Sequence, residues 1–157
     1  MEAEELIEKL QNEFKEAITE IGEPKEHRID VHVTPEKVVD VANFMKHDLG
    51  FTIPNMCTGI DYKDKMEVVW HVGSPDTAIL LVLKVETDRD NCVVDSLTPV
   101  WEGMNWHERE TYDLLGVNFT NHPDLRRLLM PENWEGHPLR EDYVYKRPTY
   151  RKPEDFA

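Results

Sequence analysis

Ionisable and aromatic side chains are denser between Trp101 and Leu129 than anywhere else in this sequence. Acids, bases and histidines so close together could transfer protons, hold a metal ion, or form charge-assisted hydrogen bonds with a partner. Four charged residues in particular fall close together: Glu108, Arg109, Glu110 and Asp113. We therefore expect any function that the sequence reveals to lie in this stretch.

A metal-dependent hydrolase is one hypothesis, in which His107, Glu110 and His122, or His137, converge on a divalent ion. Glu108 and Glu110 argue against catalysis, because residues two apart point to opposite sides of a helix. His107 and Glu110 could share a face, but one such pair supplies too few ligands for a metal site. A hydrolase would show bound metal and turnover when purified alone, whereas a scaffold would show neither.

A helix from Trp106 to about Leu115 is predicted to position these side chains. Asn105 suits its N-cap, and Gly116 suits the left-handed residue that ends a helix. If the helix is exposed, an ion pair between Arg109 and Asp113 would contribute only roughly 0.2–0.5 kcal/mol. The charges are spread around the helix, however, and a helix with polar groups on every side often bridges two bodies. Both interpretations remain open from spacing alone.

Composition limits the possible partners of the chain. Its 157 residues are 39% hydrophobic and 32% charged, with a formal net charge of −14. This charge argues against binding of nucleic acid and against direct adsorption to anionic lipid. No run approaches the roughly 20 apolar residues that span a bilayer, and the amino terminus is acidic where a signal peptide would be basic. A cytoplasmic location is expected, which leaves room for attachment to a membrane-bound assembly.

Cysteine and the remaining histidines give no sign of a metal centre in the sequence. Cys57 and Cys92 lack the paired spacing of a zinc site, an iron–sulfur cluster or a redox dithiol, so both are expected to be reduced core residues. His32, His47 and His71 are isolated in the sequence. We expect these histidines to be core or surface residues rather than ligands.

The predicted order of elements is a helix over 2–21, a strand over 27–33, a helix over 34–50 and several strands between 51 and 94. The apolar run Ala78–Val85 is predicted to be the central strand, covered on both faces. This order predicts the α+β class. The architecture would be a two-layer sandwich, a mostly antiparallel mixed sheet with helices packed on it.

The carboxy-terminal part differs in character from the rest. Residues 123–129 are predicted to form a helical turn with Arg126 and Arg127 outward and the leucines inward. Residues 131–157 are rich in proline, tryptophan and tyrosine and have little periodicity. Such a composition suits an extended tail laid on a partner subunit. The predicted organisation is therefore an α+β domain over 1–130 followed by this tail.

The motif in the charged stretch resembles that of a known family, the 30-kDa subunit (the C subunit in bacteria) of the proton-pumping NADH:quinone oxidoreductase, respiratory complex I. That signature begins Glu-Arg-Glu, continues with an acidic residue and two apolar ones, and reaches a His followed by a basic residue and two aliphatics. The matching residues are Glu108, Arg109, Glu110, Asp113, Leu114, Leu115, His122, Arg126, Leu128 and Leu129. Further matches are Trp101, Trp106, Trp134, Gly136, Pro138, Leu139, Arg140, Asp142 and Tyr143. Glu141 departs from the pattern, because the family usually has Lys there.

The resemblance implies a non-catalytic scaffold subunit in the peripheral arm of a complex I-like quinone or methanophenazine oxidoreductase. Such a subunit braces the large quinone-site subunit and carries no flavin, cluster or metal, so no active site is expected in this chain. Flavin and iron–sulfur clusters would belong to partner subunits. The hetero-oligomer would couple electron transfer from NADH or a reduced deazaflavin to proton translocation. It would place this chain at the cytoplasmic side of the cell membrane, in contact with the membrane only through other subunits.

The same resemblance suggests which side chains meet other subunits. We expect the charges of the Glu-Arg-Glu region to form hydrogen bonds within this part of the chain and to the large subunit. Three arginines that follow are expected to be further anchors. The candidate interface and signature residues are Glu108, Arg109, Glu110, Asp113, His122, Arg126, Arg127, Trp134, Arg140 and Asp142.

Overall fold

The structure is a computed structural model that describes residues 2–145. Within them the α-helices are α1 (Ala3–Glu13), α2 (Val38–His47) and α3 (Met104–Leu115), and a 3₁₀ turn, Pro35–Lys37, precedes α2. The strands are β1 (Ile18–Ile21), β2 (Arg28–Val33), β3 (Ile53–Asp61), β4 (Lys65–Ser74), β5 (Thr77–Asp88), β6 (Val93–Asp95) and β7 (Asn118–Thr120).

Five of these strands form one mixed sheet in the order β1-β2-β5-β4-β3. Only the β2–β5 pair is parallel among the pairs of this sheet, and the others are antiparallel. β5 lies at the centre, as its apolar sequence predicts. β6 and β7 form a separate parallel pair beside α3. The predicted α+β class with a mostly antiparallel sheet is confirmed.

One face of the sheet packs against the helices, which makes the structure two-layered. Alternate residues of the inner strands point into this core: Ile29, Val31, Val33, Met66, Val68, Trp70, Val72, Leu81, Leu83 and Val85. The helices contribute Leu6, Leu10, Val38, Val41, Ala42, Met45, Met104 and Leu115. Val69 and Val82 are buried on the opposite face, outside this cluster, among charged residues. The prediction that Ala78–Val85 is covered on both faces holds at Val82. It is wrong toward the start of the run, where Ala78 is exposed and Leu80 is only partly buried.

The predicted helix over 2–21 is wrong beyond Glu13. The chain turns at Phe14, and β1 then pairs antiparallel with β2. Ile18, Thr19 and Ile21 are β-branched, which favours a strand, and the pairing with β2 satisfies their backbone groups. The second helix agrees better with its prediction, because α2 lies within residues 34–50 and buries Val38, Val41, Ala42 and Met45.

Residues 121–145 contain turns but neither helix nor strand. They pass along α3, and the backbone N–H of Leu139 donates to the carbonyl oxygen of Leu114 over 3.0 Å. The predicted helical turn over 123–129 is therefore wrong. Residues 146–157, the end of the predicted tail, lie outside the described residues. Within residues 2–145, none of the helices has the length and apolar character needed to cross a bilayer.

Candidate functional site

α3 carries the Glu-Arg-Glu motif and starts earlier than its sequence predicts. Gly103 is its N-cap, so Asn105 lies in the first turn and is not the cap. Gly116 ends the helix with φ +76°, as predicted, and its N–H donates to Tyr112 O. A Cβ at Gly116 would also stand 2.6 Å from the ring of His137. Glycine is thus required there both by backbone conformation and by close packing.

Glu108 is fully buried, although it could have faced water in an exposed helix. Its Oε1 accepts hydrogen bonds from the indole N–H of Trp70 (3.1 Å) and the backbone N–H of Leu97 (2.8 Å). Its Oε2 accepts hydrogen bonds from the hydroxyl groups of Ser96 and Thr98. The carboxyl group therefore joins α3 to β4 and to the loop that follows β6.

His122 lies beside this carboxyl group, with Nε2 3.9 Å from Oε2 of Glu108 and its side chain fully buried. The backbone N–H of Asp124 donates to Nδ1 of His122 over 3.0 Å, so the ring proton belongs on Nε2. Nε2 then faces Asn105 O at 3.3 Å. Both ring nitrogens are thus occupied within the chain, and neither offers a lone pair to a metal ion.

Asp113 is the second fully buried carboxylate of α3. Its Oδ2 accepts the backbone N–H groups of Leu128 (3.0 Å), Leu129 (2.7 Å) and Met130 (2.8 Å), and Nη1 of Arg127 donates to Oδ1 (2.8 Å). Burial alone would raise the pKa of Asp113, but these donors outweigh burial and lower the pKa. Three successive N–H groups aimed at one oxygen make an anion-binding nest.

Arg127 is directed inward by this ion pair, which makes its predicted outward position wrong. Nη2 of Arg127 also donates to Trp134 O (3.1 Å), so one guanidinium connects α3 to the carboxy-terminal segment. Leu129 was predicted to point inward but is 60% exposed. Leu129 is exposed because its backbone N–H and those of its two neighbours point toward Asp113, so this segment is not helical.

Arg109 does not pair with Asp113, so the ion pair that the exposed-helix interpretation supposed is absent. Arg109 is 6% exposed, and its Nε donates to Arg126 O over 3.2 Å. Its guanidinium also stacks on the ring of Trp106, with Cζ 5.1 Å from the ring centroid. The side chain is thus a brace between the outer surface of α3 and the loop that follows β7.

Arg140 and Asp142 of the carboxy-terminal segment also have partners inside the chain. Nε of Arg140 donates to Leu115 O at the end of α3 (2.7 Å). Asp142 lies 3.0 Å from Arg89, which holds Asp61 with two hydrogen bonds of 2.6 and 2.8 Å. The Arg89 guanidinium holds the pKa of Asp61 far below its usual range. The segment is therefore fastened to both α3 and the end of β3.

A second set of candidate residues points away from the protein. Glu110 is exposed, Trp106 is 63% exposed, and the side chain of Arg126 is 70% exposed. Trp106 and Arg126 line one shallow groove together with Asn105 and Leu128. The motif thus contains two groups of residues. The buried charges form hydrogen bonds within the chain, and the exposed residues form an outer face above them.

The metal ligands of the hydrolase hypothesis do not assemble. Among residues 2–145, a group of three possible ligands occurs only on the sheet face opposite the helices. His107, Glu110, His122 and His137 are not part of it, and His137 Nδ1 instead donates to Asp113 O (2.9 Å). The structure gives no support to a hydrolase site at this position.

Sequence reasoning missed the partners of the buried charges. Trp70, Ser96, Leu97 and Thr98 hold Glu108, and Arg89 holds Asp61 and Asp142. A tryptophan in a buried strand must find an acceptor for its N–H, and this was an available signal for Trp70. Nothing in the local sequence identifies the other partners. Cys57 and Cys92 are buried free thiols, as predicted.

Replacing Glu108 by alanine should destabilise the isolated chain strongly, because each buried donor left without an acceptor costs roughly 1–3 kcal/mol. Glu108→Gln should cost less, since its carbonyl oxygen can still accept from Trp70 and Leu97. Glu110→Ala, an exposed neighbour, should change stability by less than about 0.5 kcal/mol. Urea unfolding of the three variants tests this order, and equal stability of the Glu108 and Glu110 alanine variants would contradict it.

Asp113→Asn should lower the free energy of unfolding by about 3 kcal/mol at neutral pH, because it removes one partner of a buried ion pair. The pKa of Asp113 is lower in the folded chain, so its stabilisation is complete above the unfolded pKa of about 3.9. It is lost as the pH falls through the folded pKa. The difference from the unmodified chain should therefore shrink below about pH 4 in urea unfolding.

The matched control for that series is Asp90→Asn, at a side chain that is 90% exposed. We expect it to change the free energy of unfolding by less than about 0.5 kcal/mol at any pH tested. A difference between Asp113→Asn and the unmodified chain that does not vary with pH would show that Asp113 does not act through its charge.

Comparisons with known proteins agree with the motif. The family model described as the 30-kDa subunit of respiratory-chain NADH dehydrogenase matches residues 31–149. A similar solved structure is a chain of the membrane-bound sulfane sulfur reductase, an archaeal respiratory membrane complex. It superposes with a TM-score of 0.78 at 21% identity and covers 90% of this chain and 85% of that one. This likeness bears on the fold alone.

Curated relatives are closer in sequence. The C subunit of the NADH-quinone oxidoreductase of Roseiflexus sp. is 49% identical over 120 residues, which cover 73% of this chain and 68% of that protein. The C subunit of the F(420)H(2) dehydrogenase of Methanosarcina mazei is 39% identical over 146 residues, which cover 91% of this chain and 92% of that protein. The chain therefore belongs to the family of the respiratory-chain NADH dehydrogenase 30-kDa subunit.

Proposed function

We propose that the chain is a non-catalytic scaffold subunit in the peripheral arm of a membrane-bound oxidoreductase that reduces a quinone or methanophenazine. The observation that carries the proposal is the family membership, whose curated relatives are named as subunits of NADH-quinone oxidoreductase and F(420)H(2) dehydrogenase. NADH or a reduced deazaflavin would be the electron donor. Electron transfer in the whole complex would be coupled to proton translocation.

The division of the charged motif supports a scaffold rather than a catalyst. Glu108 and Asp113 are buried and saturated with hydrogen bonds, so neither is available to a substrate. Trp106, Glu110 and Arg126 point outward from the same helix and the loop beside it. Exposed tryptophan and arginine are the residue types that dominate binding energy at protein interfaces. We assign this outer face to the large quinone-site subunit.

Apolar side chains extend the proposed interface beyond α3. Leu129 and Leu139 are each 60% exposed, and Val144 and Tyr145 are 76% and 58% exposed. The predicted tail over 131–157 would continue this surface across the partner, and its final residues, 146–157, lie outside the described part of the chain. Arg127 and Arg140 would act indirectly, by fixing the segment that presents these side chains.

The contribution of the chain to electron transfer would be positional. A quinone site built between subunits works only when its lining is held rigidly, and this chain would supply support from outside. Flavin and iron–sulfur clusters would belong to partner subunits, and this chain would carry neither. It would sit at the cytoplasmic side of the cell membrane and contact the membrane only through other subunits. Its net charge of −14 suits such an arrangement, because anionic lipid would repel it.

Affinity purification from native membranes tests the proposal. The chain, tagged at its amino terminus and extracted in mild detergent, should recover a large quinone-site subunit, iron–sulfur subunits and membrane subunits. Trp106→Ala should lower this recovery by roughly tenfold, the effect of losing an interface anchor worth more than about 1.4 kcal/mol.

Glu20→Ala provides the control, because Glu20 is exposed on β1, at the opposite edge of the sheet from β3. It should leave recovery unchanged. The isolated Trp106→Ala chain should remain folded and lose no more than roughly 1 kcal/mol of stability, the contribution of the stacking on Arg109. Recovery of the tagged chain from the soluble fraction alone would overturn the scaffold proposal. Equal recovery with Trp106→Ala would remove the outer face of α3 from the interface.

A further inference from the structure

Three neighbouring strands place His32, Glu67 and Glu86 together on the sheet face opposite the helices. His32 of β2 is in register with Lys84 of β5, and Glu86 follows two residues later on the same face. Glu67 of β4 lies directly opposite Glu86. One possible ligand atom from each of the three side chains lies within 4.8 Å of the other two.

Glu67 is the unusual member of this group. The residue is only 3% exposed, and its Oε1 is buried without a hydrogen-bond partner. Lys84 Nζ stands 3.8 Å from that oxygen, beyond hydrogen-bond distance, and is closer to Asp30 Oδ2 at 3.2 Å. A buried acceptor without a donor is costly, and two carboxylates facing each other across strands repel. A cation between the carboxylates would offset the repulsion, and one held by both oxygens of Glu67 would also satisfy Oε1.

We propose that His32, Glu67 and Glu86 bind one divalent transition-metal ion, for which Zn²⁺ is the probe. An imidazole with two carboxylates suits Zn²⁺, whereas Mg²⁺ and Ca²⁺ prefer oxygen ligands alone. Bonds of about 2.1 Å in tetrahedral geometry separate ligand atoms by roughly 3.4 Å. His32 Nδ1 and Glu67 Oε2 are 4.0 Å apart, so a small adjustment of side chains brings them to this spacing. Water would supply the fourth ligand.

The surrounding lysines give the proposal a distinctive consequence. Lys65 Nζ is 2.5 Å from Glu86 Oε1, and its side chain is 39% exposed, so it can turn into water when an ion takes that oxygen. Lys84 would keep its ion pair with Asp30. Because Lys65 and the ion compete for the same carboxylate, removing Lys65 should strengthen ion binding.

The ion would be structural, since it would join β2, β4 and β5 on the face away from α3. This site departs from the expectation that the chain holds no metal and that His32 is isolated. The proposal does not depend on the scaffold function, because its test measures ion binding and not assembly. A chain that binds no ion could still be a scaffold subunit, and a chain that is not a scaffold subunit could still bind the ion.

Calorimetric titration of the purified, metal-stripped full chain with Zn²⁺ provides the test. We expect one equivalent to bind, His32→Gln and Glu86→Gln each to weaken binding at least tenfold, and Lys65→Ala to strengthen it severalfold. The control is His71→Gln, at a histidine of β4 outside the trio, which should leave the affinity unchanged. Circular dichroism should show that the variants fold.

Absence of a stoichiometric site would overturn the proposal. So would binding that His32→Gln leaves intact, or binding that His71→Gln weakens as much as His32→Gln does. An unchanged or lower affinity in Lys65→Ala would also contradict it, because the carboxylate of Glu86 would then not be the ligand.

Discussion

The buried carboxylate of Asp113 is the constraint on which the shape of the candidate site depends. A charge removed from water must be satisfied by donors in the chain, and here three successive backbone N–H groups and Arg127 supply them. Residues 128–130 cannot then continue a helical turn, because their N–H groups converge on one oxygen. Arg127 in turn holds the carbonyl oxygen of Trp134, so the path of the carboxy-terminal segment follows from the same interaction.

Glu108 plays the equivalent part at the other end of α3, where it holds the loop after β6 and the indole of Trp70. Two carboxylates on one helix thus organise the loops on either side of it. Much of the charge that suggests catalytic chemistry in the sequence therefore holds these loops in place. What remains outward, chiefly Trp106 and Arg126, lines a shallow groove above these buried charges, an arrangement that suits a bracing subunit.

Periodicity and turn residues predict much of this fold, including the α+β class, the central strand β5, the helix α2 and the end of α3 at Gly116. These local signals fail where the structure of a segment depends on residues distant in the sequence. The apolar spacing of α1 continues through Ile18 and Ile21, so only the pairing with β2 reveals a strand. The spacing of Arg109 and Asp113 suggests an ion pair. Asp113 instead pairs with Arg127, which lies 14 residues further along the chain. The family signature identifies which residues matter without revealing which of them are buried.

Amide hydrogen exchange of the isolated chain, compared with the chain in its native complex, tests the central claim most directly. The claim is that the buried charges of α3 are satisfied within the chain and build the interface before any partner binds. The N–H groups of Leu128, Leu129 and Met130 should therefore exchange slowly in the isolated chain, as slowly as in the complex. Fast exchange of these groups in the isolated chain, with protection only after assembly, would contradict the claim, because a partner rather than Asp113 would then be organising the loop.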